Sequence, residues 1–81
     1  MQVRVSFYSY LKDLTGSSDE RQEMPPGSTL GELFETLASR YPKLAAMKYS
    51  TLIAVGVDYQ PRDYRLQEGD EVSFFPPVQG G

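Results

Sequence analysis

The chain has 81 residues and a formal net charge of −3, from 11 acidic and 8 basic side chains, with no cysteine and no histidine. One small core is the most this length supports, which argues against a deep substrate cavity of its own. Lysines and arginines never occur in a run, so nucleic acid and polybasic membrane contact are both disfavoured. Missing cysteine and histidine remove disulfides, thiol nucleophiles, zinc fingers and the commonest general base.

The opening Met1-Gln2-Val3-Arg4-Val5 is polar and alternating, unlike a signal or transit peptide. No apolar stretch approaches the roughly 20 residues of a membrane span. A soluble cytoplasmic protein is the expectation. Val3, Val5 and Phe7 alternate with Gln2, Arg4 and Ser6, which predicts a half-buried strand. Leu11 to Thr15 suits a short helical turn, and Gly16-Ser17-Ser18 reads as a hairpin-like loop. Glu20 to Met24 follows as a polar strand suited to a sheet margin, with Met24 as its strong apolar contact.

Pro25-Pro26-Gly27 interrupts the chain, and Thr29 with Glu32 has the spacing of a capping box. Leu30, Leu33, Phe34, Leu37, Ala38 and Tyr41 then recur at helical spacing, while Glu32, Glu35, Ser39 and Arg40 take the other side. This helix should end before Pro42. Residues 43–47 are ambiguous, with a second short helix as one reading. Leu52-Ile53-Ala54-Val55 resembles an interior strand buried on both faces, and Gly56-Val57-Asp58 a turn. Residues 59–66 read as irregular because Pro61 blocks a central strand. Glu68-Gly69-Asp70 is a tight turn before the last strand, Glu71 to Phe75.

Two strands, a helix and two strands predict an α+β fold with a mixed sheet packed on one main helix, the ubiquitin-like β-grasp. The domain is expected over residues 1–75, with a flexible tail over 76–81. That tail, Pro76-Pro77-Val78-Gln79-Gly80-Gly81, carries the strongest functional signal. Six residues reach roughly 20 Å. Paired prolines favour an extended conformation, and two glycines suit a channel too narrow for side chains. Ordering four tail residues costs on the order of 4–8 kcal/mol, so part of the body must also bind. Phe75 sits at the tail root, and Phe7 or Tyr59 is expected beside it if the first and last strands are neighbours.

Leu66 to Gly81 resembles the end of the molybdopterin synthase small subunit family: a Gly-Asp-Glu turn, an apolar strand, paired prolines and a terminal Gly-Gly. Chain length, the Val3-Val5-Phe7 strand and the leucine-rich helix from Leu30 agree with it. The resemblance implies a sulfur carrier whose Gly81 carboxylate is adenylated and converted to a thiocarboxylate, with Gly80 beside it. It then donates sulfur to cyclic pyranopterin monophosphate during molybdenum cofactor biosynthesis. The implied partners are the molybdopterin synthase large subunit, in a heterotetramer, an ATP-dependent adenylating enzyme and a sulfurtransferase. Phe7, Tyr59, Phe75, Pro76, Pro77, Val78 and Gln79 are the expected partner-binding residues. The chain itself is expected to bind no cofactor or metal, ATP being used by the activating enzyme, and no acid or base side chain is required of it.

One departure is Gly56, where this family often has asparagine; both tolerate positive φ. Three alternatives stay open: a carrier for another pathway such as thiamin thiazole synthesis, a ubiquitin-like modifier joined to lysines, and an adaptor with an inert tail. Asp70 and Glu71 read as turn charges rather than a carboxylate pair, since adjacent strand residues face opposite ways. The tyrosines Tyr41, Tyr49, Tyr59 and Tyr64, with no run of cations among them, suit packing and partner contact better than base stacking.

Overall fold

The computed structural model describes residues 1–77. Strand β1 (Gln2–Phe7) is followed by the short helix α1 (Leu11–Thr15) and strand β2 (Asp19–Glu23). Helix α2 (Leu30–Arg40) leads through α3 (Pro42–Ala45) to β3 (Leu52–Val55), β4 (Asp58–Tyr59) and β5 (Glu71–Phe75). The sheet order is β2-β1-β5-β3-β4. β1 and β5 run parallel at its centre, with Phe7 opposite Phe74, and β2 and β3 flank them antiparallel. This is the β-grasp arrangement.

Helix α2 starts where the capping box places it. The Glu32 amide donates to Thr29 Oγ1 at 3.2 Å and the Thr29 amide donates to Glu32 Oε1 at 2.9 Å, satisfying two otherwise orphan donors. Its apolar stripe (Leu30, Leu33, Phe34, Leu37 and Ala38) is buried. From the sheet, Val3, Val5, Phe7, Ile53, Val72 and Phe74 complete the same core. Phe74 sits at its centre, its ring 5.7 Å from Phe7 and 5.9 Å from Phe34. Burial of this contiguous apolar set is the main driving force for the fold.

Three expectations need adjustment. β3 is not buried on both faces along its length: Ile53 and Ala54 are buried while Leu52 is exposed, because no layer covers that face of the sheet. β2 begins one residue early, at Asp19, and ends before Met24, which is buried as expected. The stretch after Gly56 is not wholly irregular, since Asp58–Tyr59 forms an edge strand paired with Ala54 and Val55. Gly56 itself has φ 62° and open space where a Cβ would lie, so the turn uses the left-handed geometry that glycine and asparagine share.

Residue 41 ties the helix to the sheet margin. The Tyr41 hydroxyl donates to Glu20 Oε2 at 2.6 Å, and Arg40 donates to Glu20 Oε1 at 2.9 Å. Hydrogen bonding to Glu20, then burial and the carboxylate charge, raise the Tyr41 phenol above its ordinary value of 10.0. Burial, then hydrogen bonding to Asp70, raises Tyr64 in the same direction. The folded state therefore keeps protons that the unfolded chain releases near pH 10. Stability from these groups is complete below that pH and falls as pH rises through their folded values. In Tyr41→Phe/Tyr64→Phe, this alkaline decline should flatten in denaturant midpoints measured between neutral pH and pH ~11.

Candidate docking face at the root of the tail

The alternation that buries Val3, Val5 and Phe7 sends Tyr8 to the opposite, open face of the sheet. β5 alternates likewise, so Val72 and Phe74 point inward and Ser73 and Phe75 outward. Because β1 and β5 are parallel neighbours with Phe7 opposite Phe74, Tyr8 comes to lie beside Phe75. The Tyr8 amide donates to the Phe74 carbonyl at 3.1 Å. The two rings stack with centroids 4.7 Å apart and planes 13° from parallel. Tyr59 meets Phe75 from the other side, edge-on, at 6.3 Å and 76°. Leu52 pairs in register with Phe75.

Tyr8, Leu52 and Tyr59 are 45%, 36% and 66% exposed, so this is an uncovered aromatic ridge rather than a satellite core. Such a ridge has the composition of an interface centre. The same open face turns polar toward its other end, where Arg4 is in register with Arg21 on β2 and Glu71 on β5. A polar margin beside an apolar centre is the usual anatomy of a protein-binding surface.

The structure separates the expected contact residues. Phe75 and Tyr59 come together as anticipated. Phe7 does not join them: it is 1% exposed and belongs to the core. The physical reason is strand alternation, and Tyr8 takes the surface place assigned to Phe7. Sequence reasoning also missed Leu52: the period-2 pattern of β1 carried the signal for Tyr8, whereas the unbroken apolar run of β3 carried none. Pro76 and Pro77 follow β5 outside any strand and are half-buried. Val78, Gln79, Gly80 and Gly81 lie outside the described residues.

Competing sites are weak. Asp70 is a turn residue whose Oδ2 accepts from the Tyr64 hydroxyl at 2.9 Å and the Gln67 amide at 2.8 Å. Glu71 is exposed on the strand that follows. Among the described residues, no group of three or more acidic, histidine or cysteine side chains is placed to hold a metal. No described helix is long and apolar enough to cross a membrane. A cleft of about 450 Å3 lies beside the first turn of α2, lined by residues including Glu32, Glu35, Lys48 and Arg62. The helix amides there are already engaged: Leu30 and Gly31 donate to the Tyr64 and Arg62 carbonyls, and Glu32 to Thr29 Oγ1. Lys48 is ion-paired with Glu35 at 2.7 Å.

Comparison with known proteins agrees with this geometry. The molybdopterin synthase sulfur carrier subunit of Haemophilus influenzae is 33% identical over 81 residues, covering 98% of this chain and 99% of that one. Among solved structures, small archaeal modifier protein 1 of Haloferax volcanii superposes with a TM-score of 0.86 at 19% identity, covering 95% of this chain and 98% of the other. A complex of subunits 1 and 2 of molybdopterin-converting factor from Helicobacter pylori contains a chain that superposes with a TM-score of 0.70 at 23% identity, each chain fully covered. The model of the ThiS family matches residues 5–81. With a β-grasp body, an aromatic ridge at the root of a Gly-Gly tail and homology to sulfur carrier subunits, the chain belongs to the ThiS family.

Proposed function

We propose that this protein is the sulfur carrier subunit of a molybdopterin synthase, working in the cytoplasm with its reactive group at the Gly81 carboxylate. The observation that carries the reading is the exposed Tyr8–Phe75–Tyr59 ridge at the point where β5 gives way to the Pro76–Gly81 segment. The ridge anchors a partner while the segment beyond it reaches that partner's active site. Homology to carrier subunits and the two-subunit complex formed by the Helicobacter pylori neighbour support this division of labour.

The chemistry needs no side chain of this chain. A carboxylate resists attack because its charge is delocalised and its leaving group would be an oxide. An ATP-dependent adenylating enzyme joins the Gly81 carboxylate to AMP and releases pyrophosphate. The persulfide sulfur of a sulfurtransferase then displaces AMP at the carbonyl carbon, and a thiol cleaves the acyl disulfide so formed, leaving a thiocarboxylate and a new disulfide. Docked on the large subunit, the thiocarboxylate sulfur bonds to cyclic pyranopterin monophosphate. Water then cleaves the acyl carbon–sulfur bond, leaving sulfur on the pterin and a carboxylate on the carrier for the next cycle. Deep burial of an acid or base in the carrier would serve no step.

The test is the intact mass of protein isolated from its native host. A carrier shows a fraction heavier by one sulfur less one oxygen, localised to the C-terminal peptide. A second reading, a ubiquitin-like modifier, draws on the likeness to the Haloferax volcanii modifier. It predicts target lysines bearing a Gly-Gly remnant and no thiocarboxylate. Finding neither product would refute both readings.

A further inference from the structure

Ser9 follows the docking ridge directly and has φ 55°, the one positive φ among the described non-glycine residues. Serine has no intrinsic preference for this region, and bulky or β-branched residues are outliers there. The conformation is imposed by what lies on either side. Tyr8 is held outward by its stack on Phe75 and its amide bond to the Phe74 carbonyl. Leu11, three residues on, is fully buried on the opposite side of the sheet. The short link must reverse direction while its carbonyls accept the first amides of α1: Leu11 donates to Tyr8 at 3.2 Å and Lys12 to Ser9 at 3.1 Å. The left-handed turn falls on Ser9, which is exposed.

We propose that Ser9 is a positioning residue for the docking ridge: its left-handed backbone lays Tyr8 on Phe75 and so preorganises the surface that the large subunit reads. Strain of this kind persists only where the surroundings over-determine it, and it concentrates at binding and switch sites. The inference rests on the docking face proposed above, but its geometric half concerns this chain alone.

The sign of each substitution follows from backbone preference. Ser9→Gly and Ser9→Asn accept positive φ more readily and should keep the stack at least as populated. Ser9→Val rejects it and should lift Tyr8 from Phe75. Ring-current shifts of Tyr8 and Phe75 in the isolated protein report the stack, while core Phe74 resonances and the melting temperature report folding. Calorimetric titration with the molybdopterin synthase large subunit reports docking. Expected are loss of the ring-current shift in Ser9→Val with binding weakened roughly threefold to tenfold, and wild-type or tighter binding in Ser9→Gly. In a Tyr8→Ala background, Ser9→Val should weaken binding no further, because the two substitutions act through one contact.

A merely structural Ser9 would lower the melting temperature without this dependence on Tyr8. The proposal is overturned if Ser9→Val retains the stack, if Ser9→Gly loses it, or if Ser9→Val weakens binding equally with and without Tyr8. Should Ser9→Val not fold, a weaker stack in Ser9→Gly and Ser9→Asn than in wild type overturns it. Unchanged binding in Phe75→Ala would instead reject the docking face, while the ring shifts still decide what Ser9 does.

Discussion

Appending one tryptophan after Gly81 is expected to reduce cofactor production to the level of a strain lacking the protein, with no change in melting temperature. On the proposed chemistry, the appended residue turns the Gly81 carboxylate into a peptide carbonyl, which an adenylating enzyme does not activate. It also adds a side chain where the last two positions have none, closing any channel shaped for glycine. Stability should be unaffected because the core is complete by Phe74 and β5 ends at Phe75. Deleting Gly81 should have the same outcome. The measurement is complementation of a deletion strain, scored by activity of a molybdenum enzyme, alongside thermal melts of the purified variants. An inert-tail adaptor would tolerate both changes.

The second large effect separates two neighbouring phenylalanines. Phe74 is fully buried between Phe7 and Phe34, and Phe74→Ala should destabilise the fold by about 3–5 kcal/mol. A domain of this size is stable by roughly 4–12 kcal/mol, so the variant should be partly unfolded at moderate temperature. Phe75 points the other way, between Tyr8 and Tyr59. Phe75→Ala should lose much less stability, and it should weaken large-subunit binding by about 1–3 kcal/mol as an interface anchor. Urea denaturation reads the first quantity and calorimetric titration the second. Equal stability losses at both positions, or undiminished binding in Phe75→Ala, would contradict the placement of these rings. The contrast is a direct consequence of alternation along one strand.

Much of this was legible in the linear chain. Binary patterning specified β1, α2 and β5, since a half-buried strand and an amphipathic helix have different periods. Thr29 and Glu32 announced the start of α2, and Pro42 its end. The terminal segment suggested the proposed carrier chemistry through its resemblance to the end of the small-subunit family. Periodicity also held the information that Phe7 faces inward and Tyr8 outward, yet the identity of the buried face becomes certain only when a helix covers it.

The tertiary structure decided what pairing decides. Which strands are neighbours is a long-range matter, and the parallel register of Phe7 with Phe74 is what brings Tyr8 against Phe75. The exposure of Leu52 followed from a sheet covered on one side only, which a four-residue apolar run does not disclose. The left-handed turn at Ser9 is likewise invisible to local propensity, because serine is placed there by anchors on two faces of the sheet. Local pattern therefore determined the elements. Packing between distant segments determined the aromatic surface, since only contacts across the sheet can collect side chains from positions 8, 52, 59 and 75 into one patch.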